Sequence, residues 1–476
     1  MDLRKSAVSG LKWNTVSTVV CLLIQMLRLA ILSRLLAKSD FGLVATAMMV
    51  ISFTDIFSQL GLSTGVIHKQ DITDDQYSSL YWMNLFMSIV VFMIVCALSP
   101  ALASFFREES LSKIIPLLGL QVILTAFGKI FQTIKQKYLE FDFISKVRMF
   151  STFVGFLFTV FLAYKDFGVY SLVYGQLLQI FVNQAFFVVA GFRTVRVRLH
   201  FSFAEVKDFL RIGVYQLGSQ TLDFLANRID IFLIGRFFGM DDLGVYNLAK
   251  DLINKPYQSI NSLVSNVASS YFAVIQDQVE KVVGNFKKIV SMVSKITIPL
   301  YLAMFAFSDS IVTIMYPKFP EVAILLRIMA LIGIMNSVNS QSGSLQVAYG
   351  RTDIGFRWTV IRVVTTTLVI IAASSFSIFT VAYSQLALSL VLFYCYWLIT
   401  IRPIIPLKFN EYVKPMMGPF LVVASIALAV VAIHCAFGTN LLMDAILACL
   451  AGAAVLFYYA RFHSEELAEI IKMFRK

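Results

Sequence analysis

Asn14-Thr-Val-Ser-Thr18-Val-Val-Cys21-Leu-Leu-Ile-Gln25-Met-Leu-Arg28 carries polar residues at steps of 4, 3, 4 and 3 within an apolar run. Gln216-Leu-Gly-Ser-Gln220-Thr-Leu-Asp223-Phe-Leu-Ala-Asn227-Arg-Ile-Asp230 repeats the same steps 202 residues later. That rhythm places each set of polar side chains on one face of an α-helix. Both helices are long enough to cross a bilayer. A charged side chain at that depth costs about 2.5–3.5 kcal/mol on insertion scales, so it turns toward a bundle interior or a wet cavity. Two related membrane helices with inward polar faces predict a pathway between two homologous halves.

The composition agrees. Of 476 residues, 58% are hydrophobic and only 14% charged, and the mean hydropathy is +0.78. A soluble globular protein is excluded, and an all-α polytopic membrane protein is expected. The net charge of +12 fits cytoplasmic loops; a nucleic-acid surface would need a soluble basic domain that the chain lacks. Cys21, Cys96, Cys395, Cys435 and Cys449 all fall in apolar segments without metal spacing, and the four histidines are scattered. Neither a disulfide framework nor a metal site is expected. Arg4, Lys5 and Lys12 before an apolar run could imitate a signal peptide, but Gln25 and Arg28 interrupt it, so a retained first span is expected.

Apolar stretches predict about fourteen spans. The seventh (210–237) and eighth (243–267) are the least apolar and the easiest for a hydropathy plot to miss. Loop charge sets the orientation, with about 25 Lys/Arg on one side and about 7 on the other. The basic loops, Lys135–Arg148 and Arg193–Arg211 among them, share their side with both termini, which are therefore expected inside. The corner Arg34-Leu-Leu-Ala-Lys-Ser-Asp-Phe-Gly42 matches Arg236-Phe-Phe-Gly-Met-Asp-Asp-Leu-Gly244 at the same offset. An offset of six spans preserves orientation, so the halves are parallel repeats about an axis along the membrane normal. The expected organisation is an N-lobe over 1–200, a C-lobe over 201–403, and two further helices with an amphipathic tail over 404–476. Ser202-Phe-Ala-Glu205 has the form of a capping box, opening an interfacial helix with Val206, Phe209 and Leu210 toward lipid. Ser464–Lys476 has a similar amphipathic pattern.

Span eight carries the strongest polar face: Asn247, Asp251, Asn254, Gln258, Asn261 and Ser265, flanked by Lys250 and Lys255. Pro256 removes a backbone hydrogen bond there and predicts a kink. Substrate-binding candidates are Arg28, Arg228, Lys250 and Lys255 for an anion. Asn14, Gln25, Gln216, Gln220, Asn227, Gln258 and Asn261 could bind hydroxyl groups. Asp55, Asp223, Asp230 and Asp251 could bind a coupling proton or sodium ion or serve as a gate, with Arg28 pairing to its repeat equivalent Asp230 when the outer side is closed. The alternative is that these groups act as polar glue between helices within a lobe. That reading is favoured for Gln121, Thr125, Gly128 and Gln132 in span four and for Asn336, Asn339, Gly343 and Gln346 in span ten. Arg362, Lys295 and Arg327 are expected to snorkel to the interface. There is no phosphate loop, nucleophile elbow or zinc motif, so no catalytic residue, metal or cofactor is expected.

Three stretches carry a resemblance: Ser33-Arg-Leu-Leu-Ala-Lys-Ser-Asp-Phe-Gly-Leu-Val-Ala-Thr-Ala-Met-Met-Val-Ile51, then Gln59-Leu-Gly-Leu-Ser-Thr-Gly-Val-Ile67 and Ser79-Leu-Tyr-Trp-Met-Asn84. With Tyr246-Asn-Leu-Ala-Lys-Asp-Leu-Ile-Asn-Lys-Pro256, the chain resembles bacterial polysaccharide exporters of the O-antigen flippase type, nearest the branch of colanic and teichuronic acid exporters. These belong to the multidrug/oligosaccharidyl-lipid/polysaccharide exporter superfamily. The resemblance implies two six-helix lobes around a cavity that opens alternately to each side. It implies an undecaprenyl-pyrophosphate-linked glycan, of a lipopolysaccharide or exopolysaccharide, moved from the inner to the outer leaflet of the bacterial cytoplasmic membrane. Membrane lipids, a proton or sodium ion and other polysaccharide-assembly proteins are the implied partners, and nucleic acid is not. Family members often carry a proline after span eight, where this chain reads Val267-Ala-Ser-Ser-Tyr-Phe-Ala-Val-Ile275, which leaves the geometry of that stretch open. An ion-coupled drug or metabolite exporter, a membrane polymerase, ligase or glycosyltransferase, and a non-transporting scaffold are the alternatives.

Overall fold

The computed structural model describes residues 3–59, 66, 72–192, 195, 197–438 and 440–462. The tail 464–476 and Thr439 lie outside them, and the side chains of Leu210, Gln216 and Ser265 lie outside the described side chains. Every regular element among the described residues is a helix. In chain order these are α1 (Leu3–Leu35), α2 (Lys38–Gln59), α3 (Asp74–Phe106), α4 (Leu111–Lys137), α5 (Phe141–Tyr164) and α6 (Val169–Gly191). The segment Phe203–Ile275 is divided by a non-helical residue, Gly239, into α7 (203–238) and α8 (240–275). There follow α9 (Val279–Ala306), α10 (Ser308–Met315), α11 (Val322–Asn339), α12 (Ser342–Ala348), α13 (Thr352–Ala373), α14 (Ile378–Tyr396) with a π-turn over Trp397–Ile401, α15 (Phe409–Phe437) and α16 (Leu441–Phe462).

The protein is an all-α polytopic membrane protein. Twelve described helical segments are long and apolar enough to cross a membrane, α11 and α12 counting as one. The polar helices α7 and α8 are not among them, and their presence is compatible with fourteen spans. α8 continues through Pro256 and on to Ile275 with helical backbone angles, so the stretch that lacks the family's proline is helical here.

Two compact units divide the chain between Gly244 and Val245. In the first, the two repeat corners meet. Asp40 Oδ2 accepts from the Ala37 backbone N–H at 3.0 Å and shapes the α1–α2 turn. Gly239, at φ 83° and ψ −175°, makes the α7–α8 turn in a conformation that suits glycine. A Cβ on Gly42 would overlap Met240 O, and a Cβ on Gly244 would overlap Lys38 O. Lys38 and Met240 are themselves 202 residues apart, as are Gly42 and Gly244. The contact is thus reciprocal, as a two-fold relation between repeats requires.

The connection into α7 differs from the expectation. Ser79 Oγ in α3 accepts the Ser202 backbone N–H at 3.0 Å and donates to Glu205 Oε2 at 2.6 Å. A hydroxyl from another helix stands where a capping box would close on itself. Ser78 Oγ accepts the Arg198 N–H at 3.0 Å, and Trp82 Nε1 donates to Arg198 O at 2.9 Å. Val206 and Phe209 do not face lipid. They are 0% and 2% exposed within a cluster that includes Tyr77, Leu80, Tyr81, Phe131 and Phe187, because the strapped connection presses the start of α7 onto α3, α4 and α6.

In the second unit, α15 is held against α9 and α11. Lys287 Nζ donates to Glu411 Oε2 at 2.6 Å, Phe286 and Tyr412 stack at 6.3 Å, and Tyr412 OH donates to Asn339 Oδ1 at 3.0 Å. Asp444 of α16 pairs with His434 of α15 at 2.6 Å and accepts from Ser310 of α10. Arg327 pairs with Asp309 and donates to Ser308 Oγ. Lys295 is buried at 7% exposure.

Gly42→Val and Gly244→Val should each destabilise the detergent-solubilised protein by about 1–3 kcal/mol, because backbone carbonyls cannot yield to the added carbons. The double variant should lose less than the sum, since one contact is shared; thermal midpoints measure both. Hydrogen bonds from Ser79 and then His200 hold the Glu205 carboxyl below its ordinary range. A depressed carboxyl contributes its stabilisation above the ordinary glutamate value and loses it as the pH falls through the lowered value. Hydrogen exchange of the Arg198 and Ser202 amides should therefore be slower in the wild type than in Glu205→Gln near neutrality. The two proteins should converge in strong acid.

Candidate functional site

The polar face of α1 divides into two parts. Its first part is occupied within the unit: Arg148 Nη2 of α5 lies 3.0 Å from Asn14 Oδ1, 2.7 Å from Ser17 Oγ and 3.2 Å from Thr18 Oγ1. Cys21 Sγ donates to Thr152 Oγ1 of the same helix at 3.7 Å. Asn14 Oδ1 is thus an acceptor for Arg148 within the unit. Arg148 is likewise no loop charge, since it lies two turns inside α5. The outer part stays open: Gln25 is exposed and Arg28 half-buried. Among the described residues Arg28 forms no hydrogen bond or ion pair. Arg28 and Asp230 are not paired in this structure; Asp230 is buried and its Oδ1 accepts the Ile231 N–H at 2.9 Å.

On α7, Gln220, Asp223 and Asn227 are exposed and Arg228 is half-buried. Asn227 Nδ2 donates to Asp223 O at 2.8 Å within its own helix. Arg228, like Arg28, forms no hydrogen bond or ion pair among the described residues. If α7 crosses the membrane, its exposed amides and unneutralised guanidinium call for water beside them, because lipid offers neither hydrogen bonds nor countercharge.

Other charges have found company. Asp55 of α2 interacts electrostatically with Lys129 of α4, a lysine the polar-stripe reading passed over although it follows Gly128 in span four. Asn84 Nδ2 donates to Ala126 O at 3.3 Å, so this part of α4 is bound within its own unit.

In the second unit, Lys250, Asp251, Lys255 and Asn261 of α8 are half-buried and Gln258 is exposed. Lys250, Asp251 and Lys255 each take part in a polar contact, and Asp251 lies within electrostatic reach of the fully buried Tyr316. Asn261 Oδ1 accepts from Gln341 Nε2 at 3.3 Å. Tyr257 of α8 bonds to Ser340 and feels the charge of Arg362 on α13, as does Tyr396 of α14. Arg362 therefore turns into the unit, not out to the interface. Its burial is tertiary: α13 supplies the arginine, α8 and α14 the phenols.

Arg148→Ala should destabilise the protein by about 0.6–1.7 kcal/mol, the range for hydrogen bonds between membrane helices, and Arg148→Lys should recover part of it. Asn14→Ala should lower the thermal midpoint in the same direction and leave activity per folded molecule unchanged, as a packing group does and a ligand-binding group does not.

Residues 31–319 match the family described as "Polysaccharide biosynthesis protein". The teichuronic acid biosynthesis protein TuaB of Bacillus subtilis (strain 168) is 28% identical over 447 residues, 92% of this chain and 90% of that one. The lipopolysaccharide biosynthesis protein WzxC of Escherichia coli (strain K12) is 26% identical over 422 residues, 88% and 86% of the two chains. Among solved structures, the lipid II flippase MurJ in an inward closed conformation superposes with a TM-score of 0.78. It covers 97% of this chain and 100% of its own at 12% identity, a likeness of fold.

Proposed function

The chain belongs to the polysaccharide biosynthesis protein family, and from that premise we propose that it is a flippase of the bacterial cytoplasmic membrane. Its cargo is an undecaprenyl-pyrophosphate-linked oligosaccharide, carried from the cytoplasmic to the periplasmic leaflet. One observation supports this above the others: Arg28, on the polar face of α1, and Arg228, the residue after Asn227 of the α7 face, are half-buried cations without carboxylate partners. A guanidinium in such a place is neutralised by a diphosphate that visits and leaves, through paired charge-assisted hydrogen bonds. The named activity of the relatives, in teichuronic acid and lipopolysaccharide biosynthesis, points to the same class of cargo.

In this reading the glycan and pyrophosphate enter the wet cleft while the prenyl chain stays in lipid. Arg28 and Arg228 attract the diphosphate, with Lys250 and Lys255 adding positive potential. The exposed amides of Gln25, Gln220, Asn227 and Gln258, with Gln216 and Asn261, bond to sugar hydroxyls. Asp55, Asp223, Asp230 and Asp251 are the groups that would accept the coupling ion. The cargo crosses intact, so the protein acts as a carrier and not as a polymerase or ligase.

In cells lacking the protein, the lipid-linked repeat unit should accumulate on the inner leaflet with unchanged mass. Arg28→Ala and Arg228→Ala, at wild-type abundance, should each lower export by about tenfold or more, the effect of losing one charge-assisted contact, while Arg28→Lys retains more than Arg28→Ala. Wild-type export by both alanine variants would overturn the assignment of the anion site. A repeat unit altered in covalent structure would instead favour an enzyme.

A further inference from the structure

A cleft of 410 Å³ lies at one end of the first unit, and none of the residues that line it is among those assigned to the cargo above. Phe105 and Arg107 from the end of α3 line it, with Phe232, Leu233, Arg236 and Phe237 from the last turns of α7. Its aromatic wall is ordered: Phe105 stacks on Phe232 at 5.1 Å and 23°, and Phe106 meets Phe232 edge-on at 5.5 Å. The Arg236 guanidinium carbon lies 5.3 Å from the centroid of the Phe105 ring. A guanidinium stacked on a ring face keeps the N–H groups along its edge available to a ligand.

Arg107 is aimed by the backbone. It caps α3 in the left-handed conformation, at φ 56° and ψ 38°, with its N–H donating to Ala103 O and Ser104 O. The next N–H, of Glu108, donates to Ala103 O at 2.9 Å and closes the cap. Neither Arg107 nor Arg236 forms an ion pair among the described residues, and no carboxylate lines the cleft. Two like charges beside an aromatic wall leave an uncompensated positive potential that an anion would relieve.

The mouth of the cleft decides which kind of anion. Phe105 is 40% and Phe237 46% exposed, and α3 is a membrane-spanning helix. The ligand must then present a phosphate to the arginines and a hydrocarbon chain to the phenylalanines. We propose that this cleft is a lipid-binding site. It holds the phosphate of an anionic membrane lipid between Arg107 and Arg236, with the chain along Phe105, Phe232 and Phe237. Loop charge places this end of α3 on the outer side, so the lipid belongs to the outer leaflet.

The test uses the full chain in detergent and follows its thermal midpoint with four additives: phosphatidylglycerol, a polyprenyl phosphate, diacylglycerol and sodium phosphate. Phosphatidylglycerol or the polyprenyl phosphate should raise the midpoint, and whichever acts at lower concentration identifies the class of lipid. Diacylglycerol lacks the phosphate and sodium phosphate lacks the chain, so neither should act. In Arg107→Gln/Arg236→Gln the midpoint without additive should stay within a degree or two of wild type. Its apparent affinity for the lipid should fall by about tenfold or more, the loss expected for charge-assisted contacts. If the double variant does not fold, native mass spectrometry of Arg107→Lys/Arg236→Lys, which keeps both charges but not the planar forks, should show reduced lipid retention. An undiminished lipid response in either variant overturns the proposal, because the lipid then binds elsewhere on a basic protein. So does an equal response to diacylglycerol or to sodium phosphate. Glycan export is read in a separate assay, so failure here leaves the carrier reading standing.

Discussion

Two missing Cβ atoms hold the repeat together. Gly42 lets the Met240 carbonyl approach, and Gly244 does the same for the Lys38 carbonyl. Any side chain at either place would push the corners apart by the width of a carbon atom. Since interiors are packed too closely to absorb that without strain, the entry angles of α1, α2 and α7 all follow from this approach. The Thr46 hydroxyl, within 3.5 Å of Met240 Sδ, fastens the next turn of α2 to the same residue. The corner between α7 and α8 can reach this position because Gly239 turns the chain where an L side chain would be strained.

From that frame the polar faces acquire different fates. On α1, the half nearer the chain start is consumed by Arg148 and Thr152, which bind α1 to α5 much as amides and hydroxyls join helices elsewhere in lipid. The half nearer the corner is left open. On α7, the amides are exposed while Asp230 is withdrawn from view. Polar residues on one helical face are therefore not equivalent: a few ångströms of neighbouring helix separate a structural bond from a group left for water or cargo.

The charges sort by the same rule. Asp55 has Lys129, Asp309 has Arg327, Asp444 has His434, and Lys287 has Glu411. Arg28 and Arg228 stand without carboxylates at half-buried positions, and Arg107 and Arg236 do so at the end of the membrane helices. Burying a charge is expensive unless it is matched. A half-buried arginine without a match favours an anion from outside the chain, and the anion site proposed at Arg28 and Arg228 rests on that rule.

Much of this was legible in the chain itself. Helical periodicity, the apolar runs, the 202-residue offset and the weak hydropathy of spans seven and eight are local properties, fixed by covalent spacing and the solvation of each side chain, and they determined an all-α membrane protein built on a repeat. The sequence equally named the polar faces, because a 4–3 rhythm needs no partner to be recognised. Whether a given face is free is another matter. Asn14 meets Arg148 across 134 residues, Ser79 takes over the cap of Glu205 across 126, and Phe105 stacks on Phe232, which lies on another helix. Val206 and Phe209 look like lipid-facing residues until α3 and α4 close over them. Such outcomes depend on which helices come into van der Waals contact. Electrostatic and hydrogen-bonding partners act only over a few ångströms, so tertiary structure alone decided which cations have a partner within the chain and which do not.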